Sequence, residues 1–260
     1  MSQVVLRNRF GIYLHVPFCS KKCDYCSFAT WTDRDHLVED YLQACKAQAR
    51  EAASSIRSIS SVFIGGGTPN LVPAQLLMDI FDGLPLHPDA EFTVECNPDH
   101  VTPDDLEIYV DHGVNRISLG VQSMVPHVLR SLGREHNPDN VYNSVEIIRN
   151  AGIKNLNLDL IYGAQGETLK DWDRSLSEVL ALQPDHISAY ALTVEAERLW
   201  QRLQNDTPMM TIKPKSTFWL TTGSLLGVTQ TMKSPTGPAR AKNVATTFST
   251  GVRANTSVSA

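Results

Sequence analysis

The sequence predicts an α/β fold built around a parallel β-sheet, and three observations support this prediction. Short β-rich runs alternate with helical stretches up to Leu192, several of those stretches carry helix-cap signals, and nearly every β-rich run ends in polar residues or glycine. Strands that alternate with helices form βαβ units, which build parallel sheets. Six such units could form a barrel or part of one, and a doubly wound open sheet is the alternative.

Six strands and five helices are predicted, in alternation. The strands are expected at residues 11–16, 61–65, 91–96, 115–121, 155–161 and 185–192, and the helices at residues 33–57, 73–84, 102–112, 137–151 and 168–182. Thr102 is a suitable N-cap, and Pro103 after it suits the first turn of a helix. Gly113 and Gly152 stand just past helical stretches, where a left-handed C-cap residue is needed.

The composition is that of an ordinary globular protein, with 42% hydrophobic and 20% charged residues in a chain of 260. No apolar run approaches the length of a membrane helix, and residues 1–9 lack the features of a signal peptide. The net charge of −5 gives no reason to expect nucleic acid as the main partner. We therefore expect a cytoplasmic protein with no transmembrane segment and no nucleic-acid partner.

The composition changes abruptly near residue 196. Residues 1–196 carry fifteen Lys or Arg and twenty-six Asp or Glu, for a net charge of −11, whereas residues 197–260 carry eight basic and two acidic residues, for +6. From residue 207 onward the chain is rich in Thr and shows no helical or strand period, which predicts disorder. The sequence thus predicts a core domain at residues 1–195 and an atypical, disordered tail at residues 196–260, as a truncated or frame-shifted gene would give.

Three of the five cysteines lie within eight residues, in the spacing C-x3-C-x2-C: Cys19, Cys23 and Cys26. An odd number of clustered cysteines fits metal ligation better than disulfide pairing. Three thiolates can bind three irons of a [4Fe–4S] cluster and leave the fourth iron open. The alternative is a zinc site with His15 or His36 as fourth ligand, although structural zinc usually has two separated ligand pairs. The other two cysteines, Cys45 in a predicted helix and Cys96 at a strand end, are not assigned as ligands.

Polar residues follow most of the predicted strands, where ligands bind in parallel α/β folds. The cysteine motif follows the first strand, and a triple glycine follows the second, where it allows either a tight turn or the close approach of a ligand. Glu95 and Asp159 can bind a cationic group, and Arg134 can pair with a carboxylate. The sequence therefore predicts one pocket at this edge of the sheet.

Several of these motifs, in this order, closely resemble one family of radical S-adenosylmethionine (SAM) proteins, the oxygen-independent coproporphyrinogen III oxidase family. The resemblance spans residues 11–195 and rests on the cysteine motif together with Gly65-Gly66-Gly67-Thr68-Pro69, Glu95-Cys96-Asn97-Pro98, Gly120-Val121-Gln122-Ser123 and Asp159-Leu160-Ile161-Tyr162-Gly163. It implies a partial (β/α)6 radical SAM barrel. It also implies a [4Fe–4S] cluster bound by Cys19, Cys23 and Cys26, with SAM on the open iron. The implied SAM contacts are Tyr13, Tyr25, Gly66, Gly67, Thr68, Glu95, Gln122, Arg134, Asp159 and, in a looser part of the match, Thr193.

Two features favour the heme-chaperone branch of this family, the HemW type. The oxidase has another cysteine two residues beyond the third ligand, where this chain has Ser27-Phe28, and it has an extension before the first strand, where only ten residues precede Gly11. This branch implies heme as cargo, a heme-acceptor protein of unknown identity and a reductant for the cluster. The alternatives are the oxidase itself, which is a radical SAM enzyme of porphyrin biosynthesis, and a degenerate product without function.

The expected strength of heme binding depends on residues 196–260. Family members continue after residue 195 with a motif containing His-Asn and Tyr-Trp and then a C-terminal domain, and residues 196–260 contain neither. We therefore expect a marginally stable chain that binds heme weakly or not at all. The heme ligand is not determined by the sequence, and the candidates are His15, His36, His136 and His186.

Overall fold

The computed structural model describes residues 10–134, 136–193 and 230–231, and its central element is one parallel β-sheet. The strands are β1 (Phe10–Val16), β2 (Ile59–Gly66), β3 (Leu86–Cys96), β4 (Arg116–Gln122), β5 (Asn155–Tyr162), β6 (His186–Ala191) and β7 (Gln230–Thr231). The six predicted strands are all present. The two-residue strand β7, which pairs in parallel with β6, lies in the segment where no strand was predicted.

The order of the strands decides between the two architectures that the sequence left open. Each strand pairs in parallel with the next one along the chain, from β1 to β6. A doubly wound sheet reverses its strand order at a switch point, and the described strands show no reversal. Within the described residues β1 pairs only with β2, so that the sheet is an open arc of βα units. The prediction of a partial (β/α)6 barrel is confirmed.

The helices between the strands are α1 (Val38–Ala53), α2 (Ala74–Met78), α3 (Pro103–Asp111), α4 (Pro126–Ser131), α5 (Pro138–Asn150) and α6 (Leu169–Ala181). Thr102 caps α3 by accepting a hydrogen bond from the Asp105 amide, and Gly113 and Gly152 both have a φ of +87°. The predicted caps are therefore confirmed. Two predicted helices are shorter than expected, because the turns Asp35–Leu37 and Asp79–Phe81 are 3-10 helices. Helix α4 was not predicted, because six residues are too few to establish a helical period.

Side chains alternate between the two faces of the sheet, as the pleat requires. On β4, Ile117, Leu119 and Val121 are fully buried in the main hydrophobic core, which also contains residues of every helix except α4. The residues between them on the same strand are polar or glycine. Strand β5 follows the same pattern. The outer face thus packs against helices, and the inner face presents polar groups to the interior of the arc.

The predicted boundary between domain and tail lies outside the described residues, as does nearly all of the tail, so that both stay predictions. No helix in the described part of the chain is long and apolar enough to cross a membrane.

Candidate functional site

A cavity of about 460 Å³ lies at the carboxyl ends of the strands. It is bounded by the cysteine loop, the triple glycine and the ends of β3 to β6. Eleven of the thirteen predicted site residues line it: Cys19, Cys23, Cys26, Tyr25, Gly66, Gly67, Thr68, Glu95, Gln122, Arg134 and Asp159. The prediction that successive strand ends converge on one pocket is therefore confirmed.

The cysteine loop is attached to the barrel at its base and at its middle. At the base, the Cys19 amide donates a hydrogen bond of 3.1 Å to the carbonyl of Trp31. At the middle, the Asp24 amide donates to the carbonyl of Leu132 at 3.3 Å. Gly133 permits this contact, because a Cβ there would lie 2.9 Å from the Asp24 backbone. The loop is thus fixed over the strand ends, with its three cysteines lining the cavity and outside any disulfide.

The triple glycine contacts the cysteine loop directly. The Gly67 amide donates to the carbonyl of Val16 at 2.7 Å, and the Thr68 amide donates to the carbonyl of Phe18 at 2.8 Å. A Cβ at Gly67 would lie 2.5 Å from the Phe18 oxygen and 2.9 Å from the Cys19 sulfur. Gly67 is therefore needed so that the two loops can approach each other, whereas the sequence left open only a tight turn or the close approach of a ligand.

The positions of the three thiols fit a cluster better than a single zinc ion. A tetrahedral zinc ion with Zn–S bonds of about 2.3 Å would bring three sulfurs within about 4 Å of one another. Among the described residues, the only set of three ligand atoms that all lie within 4.8 Å of one another is Asp79, Asp82 and His112, so that at least two of the three cysteine sulfurs are further apart than this. A [4Fe–4S] cluster needs such spacing, because each thiolate binds a different iron.

The two histidines proposed as zinc ligands are not available at the cavity. His15 donates from Nε2 to the carbonyl of Ala29 at 2.8 Å and accepts at Nδ1 from the Tyr13 hydroxyl at 3.0 Å, so that both ring nitrogens are engaged. His36 lies in the 3-10 turn before α1. No histidine in the described part of the chain lines the cavity.

Three residues with carboxyl groups line the cavity, Glu95, Asp99 and Asp159, and burial raises the pKa of Glu95 and Asp159. The Glu95 pKa is raised to about 7, first by burial and then by the nearby Asp159, although Oε2 accepts a hydrogen bond of 3.2 Å from the Gly66 amide. Asp159 accepts from the Ser118 hydroxyl and the Asn157 amide, each at 2.8 Å. Such carboxylates favour a cationic ligand, because it compensates the lost hydration of their charge.

Hydrogen-bond donors line another part of the same cavity. The Arg134 Nε donates to the Tyr25 hydroxyl at 3.2 Å, which fixes the guanidinium beside the cysteine loop. The Gln122 amide nitrogen and the Arg134 Nη2 both lie over Gly120, at 3.0 and 3.3 Å from the position that a Cβ there would occupy. The cavity thus combines hydrogen-bond acceptors and donors, which suit a cation that carries an amino-acid group, with three thiols that can bind metal.

Comparison with known proteins agrees with this geometry. The family model of the radical SAM superfamily matches residues 13–179, which is more than half of the chain. This chain belongs to the radical SAM superfamily. Membership implies that it binds a [4Fe–4S] cluster and SAM.

The most similar curated proteins include heme chaperones named HemW. The radical SAM chain is 35% identical to HemW of Bacillus subtilis (strain 168) over 198 residues, which cover 74% of this chain and 52% of that protein. It is 36% identical to HemW of Escherichia coli (strain K12) over 197 residues, which cover 73% of this chain and 52% of that protein. The chain therefore spans about half the length of the curated relatives it matches. The resemblance found in the motifs is confirmed.

Solved structures of radical SAM proteins share the fold. The coproporphyrinogen III oxidase HemN from Escherichia coli has a TM-score of 0.74 and 26% identity, with 84% of this chain and 52% of that chain covered. SuiB of Streptococcus suis bound to S-adenosylmethionine has a TM-score of 0.55 at 16% identity, a likeness that shows the fold alone.

Two predicted SAM contacts do not line the cavity of this radical SAM domain. Tyr13 is 59% exposed, its ring stacks on Phe63, and its hydroxyl bonds to His15. Thr193 is exposed, and its hydroxyl donates to the carbonyl of Ala191 at 3.5 Å. Of the histidines considered as heme ligands, His186 lies at the amino end of β6, opposite the cavity.

Two residues that support the site were missed by sequence reasoning, Ser118 and Asn157. Asn157 is fully buried and donates from its amide nitrogen to Ser118 at 2.7 Å as well as to Asp159. These residues occupy inward positions two before Gly120 on β4 and two before Asp159 on β5. The signal that could have found them is the period-2 alternation of polar residues along strands whose other face is apolar.

We predict that Gly67→Ala lowers both stability and cluster content. The added methyl would overlap the Phe18 carbonyl and the Cys19 sulfur, and overpacking of this kind costs about 1–3 kcal/mol in the free energy of unfolding. Urea unfolding and the iron content of the reconstituted protein measure the two effects. Gly152→Ala is the matched control, because it has a φ of +87° and open space, and should lose stability only. Full cluster content in Gly67→Ala would contradict the assigned contact.

Proposed function

We propose that this chain is a heme chaperone of the HemW type, with SAM bound on the open iron of a [4Fe–4S] cluster. The observation that supports the proposal most is its similarity to curated proteins named heme chaperone HemW, at 31–38% identity. The partners are heme, a heme-acceptor protein and a reductant for the cluster. The side chain arrangement near the third cysteine agrees, because Ser27 and Phe28 line the cavity where the oxidase would have its additional cysteine.

The roles proposed for the residues follow from their chemistry. Cys19, Cys23 and Cys26 bind three irons as thiolates, and their deprotonation couples cluster binding to proton release. The bound cluster supplies one-electron chemistry to SAM. Glu95 and Asp159 bind cationic and hydroxyl groups of SAM, while Gln122 and Arg134 orient it through their donors, with a carboxylate as the preferred partner of the guanidinium.

The cavity is large enough for SAM alone, so that heme needs a separate binding surface. A cavity of about 460 Å³ suits one cofactor-sized ligand. Phe28 and Tyr190 line it and are nevertheless 60% and 44% exposed, so that their rings extend to its mouth. Exposed aromatic rings bind flat apolar ligands well. We place heme against these two rings, outside the space that SAM occupies.

Coproporphyrinogen III oxidation is the second candidate, because the solved HemN structure has the same fold at 26% identity. The two functions differ in a direct assay. We expect the anaerobically reconstituted chain, supplied with SAM and a reductant, to form no protoporphyrinogen IX from coproporphyrinogen III above a no-protein control. Formation of that product would assign the chain to the enzyme.

Heme binding tests the chaperone proposal itself. We expect weak, saturable binding of one heme, measured by absorbance titration, and loss of this binding in the double variant Phe28→Ala, Tyr190→Ala. Leu37→Ala, at a 38% exposed apolar residue outside the cavity lining, is the matched control and should bind as wild type does. Absence of saturable heme binding in the wild-type chain would contradict the proposal.

A further inference from the structure

The end of β4 contains a strained turn that no feature of the proposed cofactor site explains by itself. Gln122 has a φ of +63° and is one of two non-glycine residues with positive φ in the described chain. The Ser123 amide donates to the carbonyl of Val121 at 2.8 Å, which closes a three-residue γ-turn around Gln122. A γ-turn with positive φ is rare and costly, and such strain persists only where surrounding contacts enforce it.

The turn decides where the Gln122 side chain lies. The pairing of β4 with β5 changes register between Leu119 and Gln122, so that the ladder no longer fixes the backbone at this point. The Gln122 amide lies over Gly120 and beside Arg134, inside the cavity, and only 8% of the residue is exposed. A relaxed backbone with negative φ would turn this side chain in another direction.

Two contacts fix the turn from opposite sides. Downstream, Ser123 and Ser175 of helix α6 share a hydrogen bond of 3.0 Å, and the Met124 amide donates to the Ser175 hydroxyl at 3.0 Å. Upstream, the carbonyl of Val121 accepts a second hydrogen bond, from Nε2 of His136 at 3.1 Å. The carbonyl that closes the turn is thus oriented by a side chain from a different segment.

The environment of His136 suits it to donating this hydrogen bond and not to transferring protons. It is 5% exposed, and because a carbonyl only accepts, its Nε2 must carry the hydrogen. Among the described residues its buried Nδ1 has no hydrogen-bond partner, so that a proton there would be uncompensated. Burial, and then the positive charge of Arg134, lower the His136 pKa to about 4. The ring is therefore a neutral, permanent donor at physiological pH.

We infer that His136 is a positioning residue: its hydrogen bond to the Val121 carbonyl maintains the γ-turn that directs the Gln122 amide into the cavity. His136 follows Arg134 by two residues, so that one short segment supplies the guanidinium to the cavity and supports the neighbouring glutamine from behind. The expected effect of His136 on SAM affinity rests on the proposed placement of SAM in this cavity, whereas its expected effect on the φ of Gln122 does not.

The test compares His136→Leu, which removes the donor, with His136→Gln, whose amide nitrogen can reach the same carbonyl. Crystal structures of the variants should show Gln122 at negative φ in His136→Leu and at positive φ in His136→Gln. In reconstituted protein, we expect SAM affinity to fall about tenfold in the first variant, the usual effect of losing an outer-shell partner, and to stay within about twofold in the second. His87→Leu, at an exposed residue near the amino end of β3, is the control and should match wild type.

Cluster content and thermal stability of each variant show whether the fold survives. An unchanged φ at Gln122 in His136→Leu would overturn the inference, as would equal losses of SAM affinity in the Leu and Gln variants at equal stability. If the wild-type chain bound no SAM, the proposed cofactor site would fail, and the crystal structures alone would still decide whether His136 maintains the turn.

Discussion

Replacing Cys19, Cys23 or Cys26 with Ala should abolish the [4Fe–4S] cluster. All three thiols line one cavity, and no histidine in the described residues lies there to replace a lost ligand. With only three cysteine ligands, the loss of one leaves two irons without a protein thiolate. We expect a [4Fe–4S] cluster to need at least three protein thiolates. Anaerobic reconstitution with iron and sulfide, followed by iron analysis and absorbance, measures the result.

Cys45→Ala is the matched control for the cysteine variants. Cys45 lies in α1, packs against the main core and is not among the residues that line the cavity. Its variant should assemble a cluster as wild type does, with at most a small loss of stability. Equal cluster content in wild type and in Cys23→Ala would contradict the assignment of the ligands.

Replacing either Glu95 or Asp159 should weaken SAM binding by about tenfold or more, which corresponds to about 1.4 kcal/mol or more. The variants Glu95→Gln and Asp159→Asn keep the shape of the side chains and remove their charge, so that cluster assembly should be unaffected. Calorimetric titration of reconstituted protein with SAM measures the affinity. Asp173→Asn, at an exposed position of α6, is the charge-matched control.

The pKa of Glu95 gives this prediction a pH dependence. Because that pKa is raised to about 7, wild-type affinity for SAM should fall as the pH is lowered through 7, where the carboxyl becomes neutral. Glu95→Gln should lack this component of the pH profile. Unchanged SAM affinity in both carboxylate variants would show that these strand ends do not bind the ligand.

The same pKa has the opposite consequence for the stability of the ligand-free protein. A carboxyl whose pKa is higher in the folded state than in the unfolded state stabilises the fold at low pH, and this contribution is lost as the pH rises through about 7. Above pH 7 the buried charge of Glu95 therefore costs stability. Ligand-free Glu95→Gln should unfold at the same or a higher temperature than wild type at pH 8, which separates a functional loss from a folding defect.

The general plan of the fold was predictable because strand periodicity and helix caps are local signals. Thr102, Gly113 and Gly152 identified helix ends correctly from residue type alone. The order of the strands was not predictable from periodicity, because the same alternation of elements builds barrels and doubly wound sheets. Helix α4 escaped prediction because it has too few residues to show a period.

The site was predictable to the extent that it depends on strand ends. Glu95, Gln122 and Asp159 converge because carboxyl ends of parallel strands share one edge. The contacts of Tyr13 with His15 and Phe63 were not predictable, since they depend on how inward side chains pack across neighbouring strands. The approach of Gly67 to the cysteine loop likewise depends on tertiary contacts between segments nearly fifty residues apart.

The central claim is that SAM binds to the open iron of a cluster held by these three cysteines. The most direct measurement is the electron paramagnetic resonance spectrum of the reduced, reconstituted wild-type chain before and after addition of SAM. We predict a [4Fe–4S] signal that changes on addition of SAM. A spectrum that saturating SAM leaves unchanged, or stoichiometric zinc in place of iron after anaerobic purification, would contradict the claim.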